Sequence, residues 1–291
     1  MATLTAAAAS DLFRADPDRY VEVPGIGEAA VRTVGAGPDV LFVHGWPVSG
    51  ATFRLLLPHL VDHVTCHVID MPGTGSSRFD DDAPLSIASH MESVRRAVDA
   101  LGLDSYAAVG HDSGGLIARH AVVGDHRLRA LGLINTEPPE VGWRFRSFLM
   151  SSRLPGFGAG LGWLVGKPKL RRNKFVLGDA FVDRSLLDGE FDEFFLRPLA
   201  TEKRRLVAGM KLIGSFEMRF IDELADIHGR IDVPVQMVWG AEDPFFPLAQ
   251  AKKMVGTFPD AQLEAIPNSG LFSHEETPQA VAEALLPALT G

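Results

Sequence analysis

The sequence predicts an α/β protein in which helices flank a mostly parallel sheet and a helical cap is inserted into the sheet domain. Three observations lead to this fold class. Short apolar runs end in small or polar residues, helix-like stretches of ten or more residues separate them, and one long central segment lacks a strand pattern. Strands of a parallel sheet are apolar on both faces because helices cover them. A chain of 291 residues is long enough for one such domain with an insertion.

Eight strands and five helices are predicted around the central segment. The strands, of which the first two are the most weakly patterned, are expected at residues 20–23, 30–34, 40–43, 65–69, 106–109, 131–134, 235–239 and 262–266. The helices are expected at residues 53–63, 85–101, 115–123, 248–257 and 277–289. Parallel strands joined by helices place their carboxyl ends along one edge of the sheet, where such folds bind their ligands.

The alternation of strands and helices stops between residues 138 and 225. This segment shows only helix-like stretches and holds 12 of the 24 aromatic residues of the chain. Residues 155–162 contain four glycines and predict a flexible connection. We therefore predict an apolar helical cap at residues 138–225, with residues 1–137 and 226–291 forming the core domain.

Composition excludes several classes of function. The net charge of −9 would repel a polyanion, so nucleic-acid binding is not expected. The sequence has no run of 18 apolar residues that would span a membrane. Cys66 is the only cysteine, and the N-terminus lacks the basic start and apolar run of a signal peptide. We therefore expect a cytoplasmic protein without a membrane or nucleic-acid partner.

The run G-H-D-S-G-G at residues 110–115 follows a predicted strand and opens a predicted helix. A sharp strand-to-helix turn that presents a nucleophile needs a small residue two positions before it and another two positions after it. Centred on Asp112, both positions are glycines, whereas centred on Ser113 the first is His111. The sequence therefore predicts Asp112 as the nucleophile. The alternative is a glycine-rich turn in which the aspartate only caps the helix.

Other predicted strands end in residues that suit the same chemistry. The loop H-G-W-P at residues 44–47 follows one strand, and the backbone N–H of Trp46, with that of Ser113, would form a two-donor oxyanion hole. The loop D-M-P-G-T-G-S-S at residues 70–77 follows another strand, and Asp243 places an acid at a late strand end.

With these motifs in this order, the sequence resembles the α/β-hydrolase fold family, and within it the aspartate-nucleophile branch of epoxide hydrolases, haloalkane dehalogenases and fluoroacetate dehalogenases. The resemblance spans residues 20–290 and is weakest in the cap. It implies that Asp112 attacks an sp3 carbon to form an alkyl ester and that Asp243 orients a histidine that activates water. Glu137 is the alternative position for that acid. The resemblance also implies that no metal or organic cofactor takes part.

The histidine of the family pattern is missing. In the family it stands in a run like G-H-F-x-x-x-E-x-P, and residues 270–278 read G-L-F-S-H-E-E-T-P, so Leu271 occupies its position. A positioned general base contributes about 10² to 10⁴ in rate, and leucine cannot accept a proton. Its loss should leave the ester unhydrolysed.

Three explanations stay open for Leu271. His274 would substitute as the base, although a solvated start of a helix is the plainer interpretation of that residue. Alternatively, Leu271 is an introduced substitution in a hydrolase. In the third explanation the protein no longer hydrolyses, and either Asp112 serves as an acid or base for another reaction or the pocket only binds.

Each substrate class of the branch lacks one of its usual residues here. Similar epoxide hydrolases protonate the epoxide oxygen with tyrosines of the cap, but Tyr20 and Tyr106, the two tyrosines of the chain, lie outside the predicted cap. Haloalkane dehalogenases usually carry tryptophan after the nucleophile, and fluoroacetate dehalogenases use arginines there, whereas this chain has Ser113. The predicted substrate contacts are His44, Trp143 and Trp163.

The sequence therefore predicts a cofactor-free enzyme that resembles epoxide hydrolases and acts on a bulky apolar small molecule. The alternatives are a non-hydrolytic cyclase, lyase or isomerase of the same fold, a haloalkane dehalogenase-like hydrolase, and a catalytically silent binding protein. No metal site is expected at His59, His63 and His67, because they straddle a helix end and a strand. Assembly into a homodimer is left open.

Overall fold

A mostly parallel sheet of nine strands organises residues 4–291, the part of the chain that the computed structural model describes. Its strands are β1 (Arg19–Val23), β2 (Gly27–Gly35), β3 (Asp39–Val43), β4 (Thr65–Asp70), β5 (Arg78–Phe79), β6 (Tyr106–His111), β7 (Leu128–Ile134), β8 (Val235–Gly240) and β9 (Ala261–Ile266). Their order is β1-β2-β4-β3-β6-β7-β8-β9, with β5 paired to β2. Pairs that involve β2 are antiparallel, and the remaining pairs are parallel.

Helices flank this sheet and occupy the long connection between β7 and β8. The α-helices are α1 (Ala6–Arg14), α2 (Ile87–Leu101), α3 (Ser113–Val122), α4 (Trp143–Ser152), α5 (Phe157–Val165), α6 (Pro168–Arg171), α7 (Arg197–Thr201), α8 (Lys203–Gly214), α9 (Arg219–Asp222), α10 (Leu224–His228), α11 (Leu248–Val255), α12 (Ser273–Glu276) and α13 (Pro278–Thr290). Three 3-10 turns (Gly50–Phe53, Leu57–His59, Arg184–Leu187) and one π-helical turn (Asp192–Leu196) join them.

The predicted α/β fold class is confirmed. None of the helices formed by residues 4–291 combines the length and the apolar character needed to cross a bilayer.

The predicted strands all form, with ends within three residues of the predicted positions. Strand β5 has no counterpart in the prediction because two residues are too few to show a pattern. The helix predicted at residues 53–63 is wrong, since the chain makes 3-10 turns there. Pro58 has no N–H for a helical hydrogen bond, and its ring would clash with the preceding turn of an α-helix.

Between β7 and β8, the described residues form helices and turns but no strand. Residues 155–162, predicted as a flexible connection, instead form much of α5. A Cβ atom on Gly158 would lie 2.8 Å from the Met210 side chain of α8, so the missing side chain allows the two helices to approach closely. The division into core and cap stays a prediction, and its boundary after residue 225 falls within α10, which packs against α3.

The connection from β6 to α3 is possible because its glycines lack side chains. A Cβ atom on Gly114 would collide with the two backbone carbonyl oxygens at the end of β3, and one on Gly110 would lie 2.5 Å from the Cα atom of Gly115. Helix α3 can therefore start directly against the end of β3. This packing places Asp112 at the carboxyl end of the sheet.

We predict that Gly114→Ala lowers the free energy of unfolding by about 2–3 kcal/mol, because the backbone must move to admit one methyl group. Gly160→Ala in α5 is the matched control, since its Cβ atom would meet nothing within 4 Å. Alanine at that helical position should stabilise the protein by about 0.5–1 kcal/mol. Urea unfolding of both variants, followed by circular dichroism, checks the difference. Equal midpoints for the two variants would contradict the packing argument.

Candidate active site

Asp112 lies in the sharp turn between β6 and α3. Its backbone has φ 51° and ψ −137°, an uncommon conformation for a residue with a side chain. The Asp112 N–H donates to the carbonyl oxygen of Asn135 (3.0 Å), and its own carbonyl oxygen accepts from the hydroxyl of Thr136 (2.8 Å). Ser113, by contrast, is the first residue of α3. The structure thus places Asp112, and not Ser113, at the turn where the sequence predicts the nucleophile.

Trp46 contacts the carboxylate of Asp112 through the backbone N–H that the sequence analysis names, whereas Ser113 does so through its hydroxyl; the oxyanion hole stays a prediction. The backbone N–H of Trp46 donates to Asp112 Oδ2 at 2.9 Å, and the Ser113 hydroxyl donates to the same oxygen at 3.3 Å. No other side chain of residues 4–291 forms a hydrogen bond with this carboxylate. The donors therefore hold Oδ2, and the Asp112 side chain lines the cavity.

Glu137 follows β7 and lies at the same cavity as Asp112. Its side chain is buried, and Oε2 lies 3.0 Å from the hydroxyl oxygen of Thr136. Among the described residues, no other side chain binds its carboxyl group. Glu137 therefore lines the cavity. Its role as the alternative acid for orienting a histidine stays a prediction.

The two carboxyl groups affect each other's ionisation. Burial raises the pKa of Asp112 to about 6, although hydrogen bonds from Ser113 and Trp46 favour its charged form. Burial and the nearby charge of Asp112 raise the pKa of Glu137 to about 8, although the Arg119 guanidinium opposes the rise. Two carboxyl groups in one site do not both ionise easily. The pKa of Glu137 is raised further than that of Asp112, which favours the charge on Asp112 and the proton on Glu137.

Arg119 in α3 lies close to these two carboxyl groups and binds the residues around them. The sequence analysis does not identify it. Its guanidinium is fully buried and donates to the Thr136 hydroxyl (2.9 Å), to the carbonyl oxygen of Glu137 (2.8 Å) and to that of Gly115 (2.9 Å). Burial lowers the pKa of Arg119 to about 10. The available signal was an arginine in the last turn of a short helix whose preceding residues are small or apolar.

Asp243, the predicted orienting acid, lies buried after β8. Its carboxylate accepts from the Asn135 amide (2.8 Å) and from the backbone N–H groups of Phe245 (2.8 Å) and Phe246 (3.1 Å). Burial raises its pKa to about 7. Within residues 4–291 no histidine bonds to this carboxylate. Asp243 is therefore held by an amide and two backbone N–H groups, and its role as an orienting acid stays a prediction.

Leu271 lines the cavity at the position where the resemblance expects the base. Its backbone N–H donates to the carbonyl oxygen of Ala180 (2.9 Å), and its carbonyl oxygen accepts from Nε2 of His111 (3.0 Å). His111 is itself fully buried beneath the turn and does not line the cavity. The cavity wall at this point is a leucine side chain.

The interpretation of His274 as a solvated start of a helix is wrong. The residue is fully buried in α12, its Nε2 lies 2.8 Å from the Thr52 hydroxyl, and its ring centre lies 4.3 Å from that of His111. Burial lowers the pKa of His274 well below its usual range. Because His274 does not line the cavity, the structure does not support it as a substitute base.

Two of the three predicted substrate contacts are corrected by the structure. His44 is fully buried, and its ring joins two loops by bonding the carbonyl oxygen of Gly45 (2.8 Å) and the hydroxyl of Thr74 (3.0 Å). Trp163 is 60% exposed and lies outside the cavity, because the face of α5 that lines it carries other residues. Trp143 is exposed but does line the cavity.

The cavity has a volume of about 540 Å³, and its walls are mostly apolar. Asp112, Glu137 and Arg144 are the charged residues that line it, and Arg144 is paired with Asp179 at 2.7 Å. Among residues 4–291, no group of three or more histidine, cysteine and acidic side chains is arranged to hold a metal ion. Ten aromatic residues contribute to the walls: Trp46, Trp143, Phe145, Phe148, Phe157, Phe175, Phe216, Phe245, Phe246 and Phe272.

Comparison with known proteins agrees with this architecture. The chain is 27% identical over 265 residues to a pimeloyl-[acyl-carrier protein] methyl ester esterase of Chromobacterium violaceum, which covers 88% of this chain and 97% of that protein. It is 27% identical over 263 residues to haloalkane dehalogenase 2 of Mycobacterium tuberculosis, with 87% and 88% covered. The solved structure of the epoxide hydrolase CorEH has a similar fold, with a TM-score of 0.77 and 19% identity over 92% of this chain and 96% of that one.

The family model of the alpha/beta hydrolase fold matches residues 38–278. This range contains the loop of Trp46, the turn of Asp112 and the position of Leu271. The protein therefore belongs to the alpha/beta hydrolase fold family.

Proposed function

We propose that this protein is an enzyme in which Asp112 attacks an sp3 carbon of a bulky apolar substrate, as the resemblance to epoxide hydrolases implies. The observation that carries the proposal is the Asp112 carboxylate at the strand-to-helix turn, with Oδ2 held by Trp46 and Ser113 at an aromatic cavity. The likeness to haloalkane dehalogenase 2 supports the same chemistry.

In the first step, Asp112 Oδ1 forms a bond to the substrate carbon while the bond from that carbon to an epoxide oxygen or a halogen breaks. The apolar walls suit this step, because a charged nucleophile reacts most readily where water does not surround it. The cavity volume of about 540 Å³ lies within the usual range for small-molecule sites. Its aromatic walls favour an aryl or polycyclic substrate.

In the second step, water must attack the carboxyl carbon of the Asp112 ester. Negative charge then develops on Oδ2, where the N–H of Trp46 already donates. A histidine would normally take the proton from that water, and Leu271 cannot do so. We therefore expect ester hydrolysis to be the slow step and the ester to accumulate.

A methyl ester esterase activity would require Ser113 as the nucleophile. The contacts of the Ser113 hydroxyl do not favour that role. The Ser113 hydroxyl donates to the Asp112 carboxylate (3.3 Å) and accepts from the N–H of Trp46 (3.1 Å). Among residues 4–291, no histidine bonds to it as an activating base.

Leu271 favours one further candidate, a non-hydrolytic reaction such as isomerisation, cyclisation or elimination. Here Asp112 would exchange a proton with the substrate and form no ester. Its pKa of about 6 suits acid–base exchange near neutral pH. Turnover without any covalent intermediate would identify this candidate.

We predict a covalent adduct on Asp112 after incubation with trans-stilbene oxide or 1-bromohexane. Mass spectrometry of the digested protein should assign the added mass to the peptide that contains Asp112. The variant Asp112→Asn should remain unmodified, because an amide is a poor nucleophile. An unmodified parent protein that also releases no product would exclude the proposal.

We predict that Leu271→His accelerates hydrolysis of the hexyl ester that 1-bromohexane leaves on Asp112 by about 10² to 10⁴, which is the usual contribution of a general base. The half-life of the adduct, measured by mass spectrometry after removal of excess substrate, reports this rate. Leu271→Asn serves as the control, because asparagine is polar but does not accept a proton near neutral pH. Equal half-lives for the histidine and asparagine variants would contradict the assigned role of position 271.

Alkylation of Asp112 by 1-bromohexane should become about tenfold faster between pH 5 and pH 7 and then level off. Only the ionised carboxylate attacks, and a pKa of about 6 implies that its fraction rises about tenfold over this range. The initial rate of adduct formation across pH measures this dependence. A rate that is constant or that falls from pH 5 to pH 7 would argue against a carboxylate nucleophile.

A further inference from the structure

Opening an epoxide requires a proton for the departing oxygen, and the usual donors are absent from this cavity. Tyr20 lies in β1 and Tyr106 in β6, and neither lines the cavity. Leu271 likewise offers no group that takes up a proton in the second step. Another residue at the cavity must therefore donate the first proton and accept the second.

We propose that Glu137 carries both protons: it protonates the oxygen that leaves the substrate carbon, and it then accepts a proton from the water that hydrolyses the Asp112 ester. This inference rests on the proposed function, since it requires Asp112 to attack an epoxide carbon. It gives Glu137 a direct catalytic role, different from orienting a histidine.

The positions of the two carboxyl groups support this role. Both Asp112 and Glu137 line the cavity, and Thr136 contacts the backbone of Asp112 and the side chain of Glu137. The hydroxyl of Thr136 lies 2.8 Å from the carbonyl oxygen of Asp112 and 3.0 Å from Oε2 of Glu137. A substrate in this cavity can therefore contact both carboxyl groups.

The hydrogen bonds and charges around the pair decide which carboxyl group holds the proton. Asp112 Oδ2 accepts from the N–H of Trp46 (2.9 Å), which favours a charged carboxylate, whereas Glu137 receives one hydroxyl contact and faces the charge of Asp112. The Arg119 guanidinium is the cation near Glu137, whose carbonyl oxygen it binds. Arg144 also lines the cavity, but it is paired with Asp179. These contacts favour the proton on Glu137 and the negative charge on Asp112.

The first step balances as follows in atoms and charge. An Asp112 oxygen bonds to the substrate carbon while the carbon–oxygen bond of the epoxide breaks. The departing oxygen keeps the electron pair of that bond and takes the proton from Glu137. The site then holds a hydroxyalkyl ester on Asp112 and a carboxylate on Glu137.

The second step restores both groups. The Glu137 carboxylate takes one proton from water, and the remaining hydroxide adds to the carboxyl carbon of Asp112. When the tetrahedral intermediate collapses, the alkoxide leaves and takes the proton of the new Asp112 carboxylic acid. The product is a diol, Asp112 is again a carboxylate, and Glu137 is again an acid.

The test compares two probes, because a departing bromide needs no proton and an epoxide oxygen does. Rates of Asp112 alkylation by trans-stilbene oxide and by 1-bromohexane are measured in the parent protein and in Glu137→Gln, which keeps the side-chain shape. We expect Glu137→Gln to slow the epoxide reaction at least about 100-fold and to change the bromide reaction less than about threefold. Glu140→Gln is the matched control, since Glu140 is exposed and paired only with Lys253 (3.6 Å).

A second measurement needs only the parent protein. Alkylation by the epoxide should fall above about pH 8, where Glu137 loses its proton, whereas alkylation by the bromide should not fall there. Equal losses for both probes in Glu137→Gln, or the same pH profile for both probes, would overturn the role of Glu137 alone. A parent protein that neither probe alkylates would overturn the proposed function as well.

Discussion

The requirement that a carboxylate stay ionised against an apolar cavity shapes the structure around Asp112. An isolated charge in such surroundings is strongly unfavourable, so donors must meet it. The N–H of Trp46 at 2.9 Å is the principal donor, and it belongs to a loop from a neighbouring strand. The glycines of the β6–α3 turn allow this approach, because any side chain on Gly114 would collide with the end of β3. The strained backbone of Asp112 costs about 1–3 kcal/mol, which these contacts offset.

The same constraint explains the ionisable groups around the site. Burial raises the pKa of Glu137 and of Asp243, so neither group readily adds a second negative charge near Asp112. Arg119 supplies a buried positive charge near Asp112 and Glu137. It donates hydrogen bonds to the Thr136 hydroxyl and to the carbonyl oxygen of Glu137. With leucine at position 271, Asp243 keeps its donors but has no imidazole to orient. The carboxyl groups that line the cavity are those of Asp112 and Glu137.

The features that the sequence predicted are those whose causes are local. The strands, the turn of Asp112 and the acid at Asp243 follow from apolar runs and from small or polar residues at their ends. The helix predicted at residues 53–63 is absent although its cause is also local: Pro58 interrupts the apolar pattern from which the helix was predicted. His274 could not be placed, because its burial depends on Thr52, which is 222 residues away in sequence.

The residues that sequence reasoning missed or misassigned depend on packing between distant elements. Arg119 gains its role from the loop that follows β7, and His44 bonds Thr74 of the next loop. Trp163 faces solvent because α5 turns another face to the cavity. The predicted boundary after residue 225 falls within α10, and the division into core and cap stays a prediction.

The most direct test of the account is a single turnover of an epoxide in ¹⁸O-labelled water, with enzyme in excess over substrate. If Asp112 attacks the substrate carbon, the diol takes its new oxygen from the aspartate, and mass spectrometry will find ¹⁸O in the Asp112 peptide and not in the diol. Label in the diol of this first turnover, with none in Asp112, would show that water attacks the carbon directly and would contradict the account.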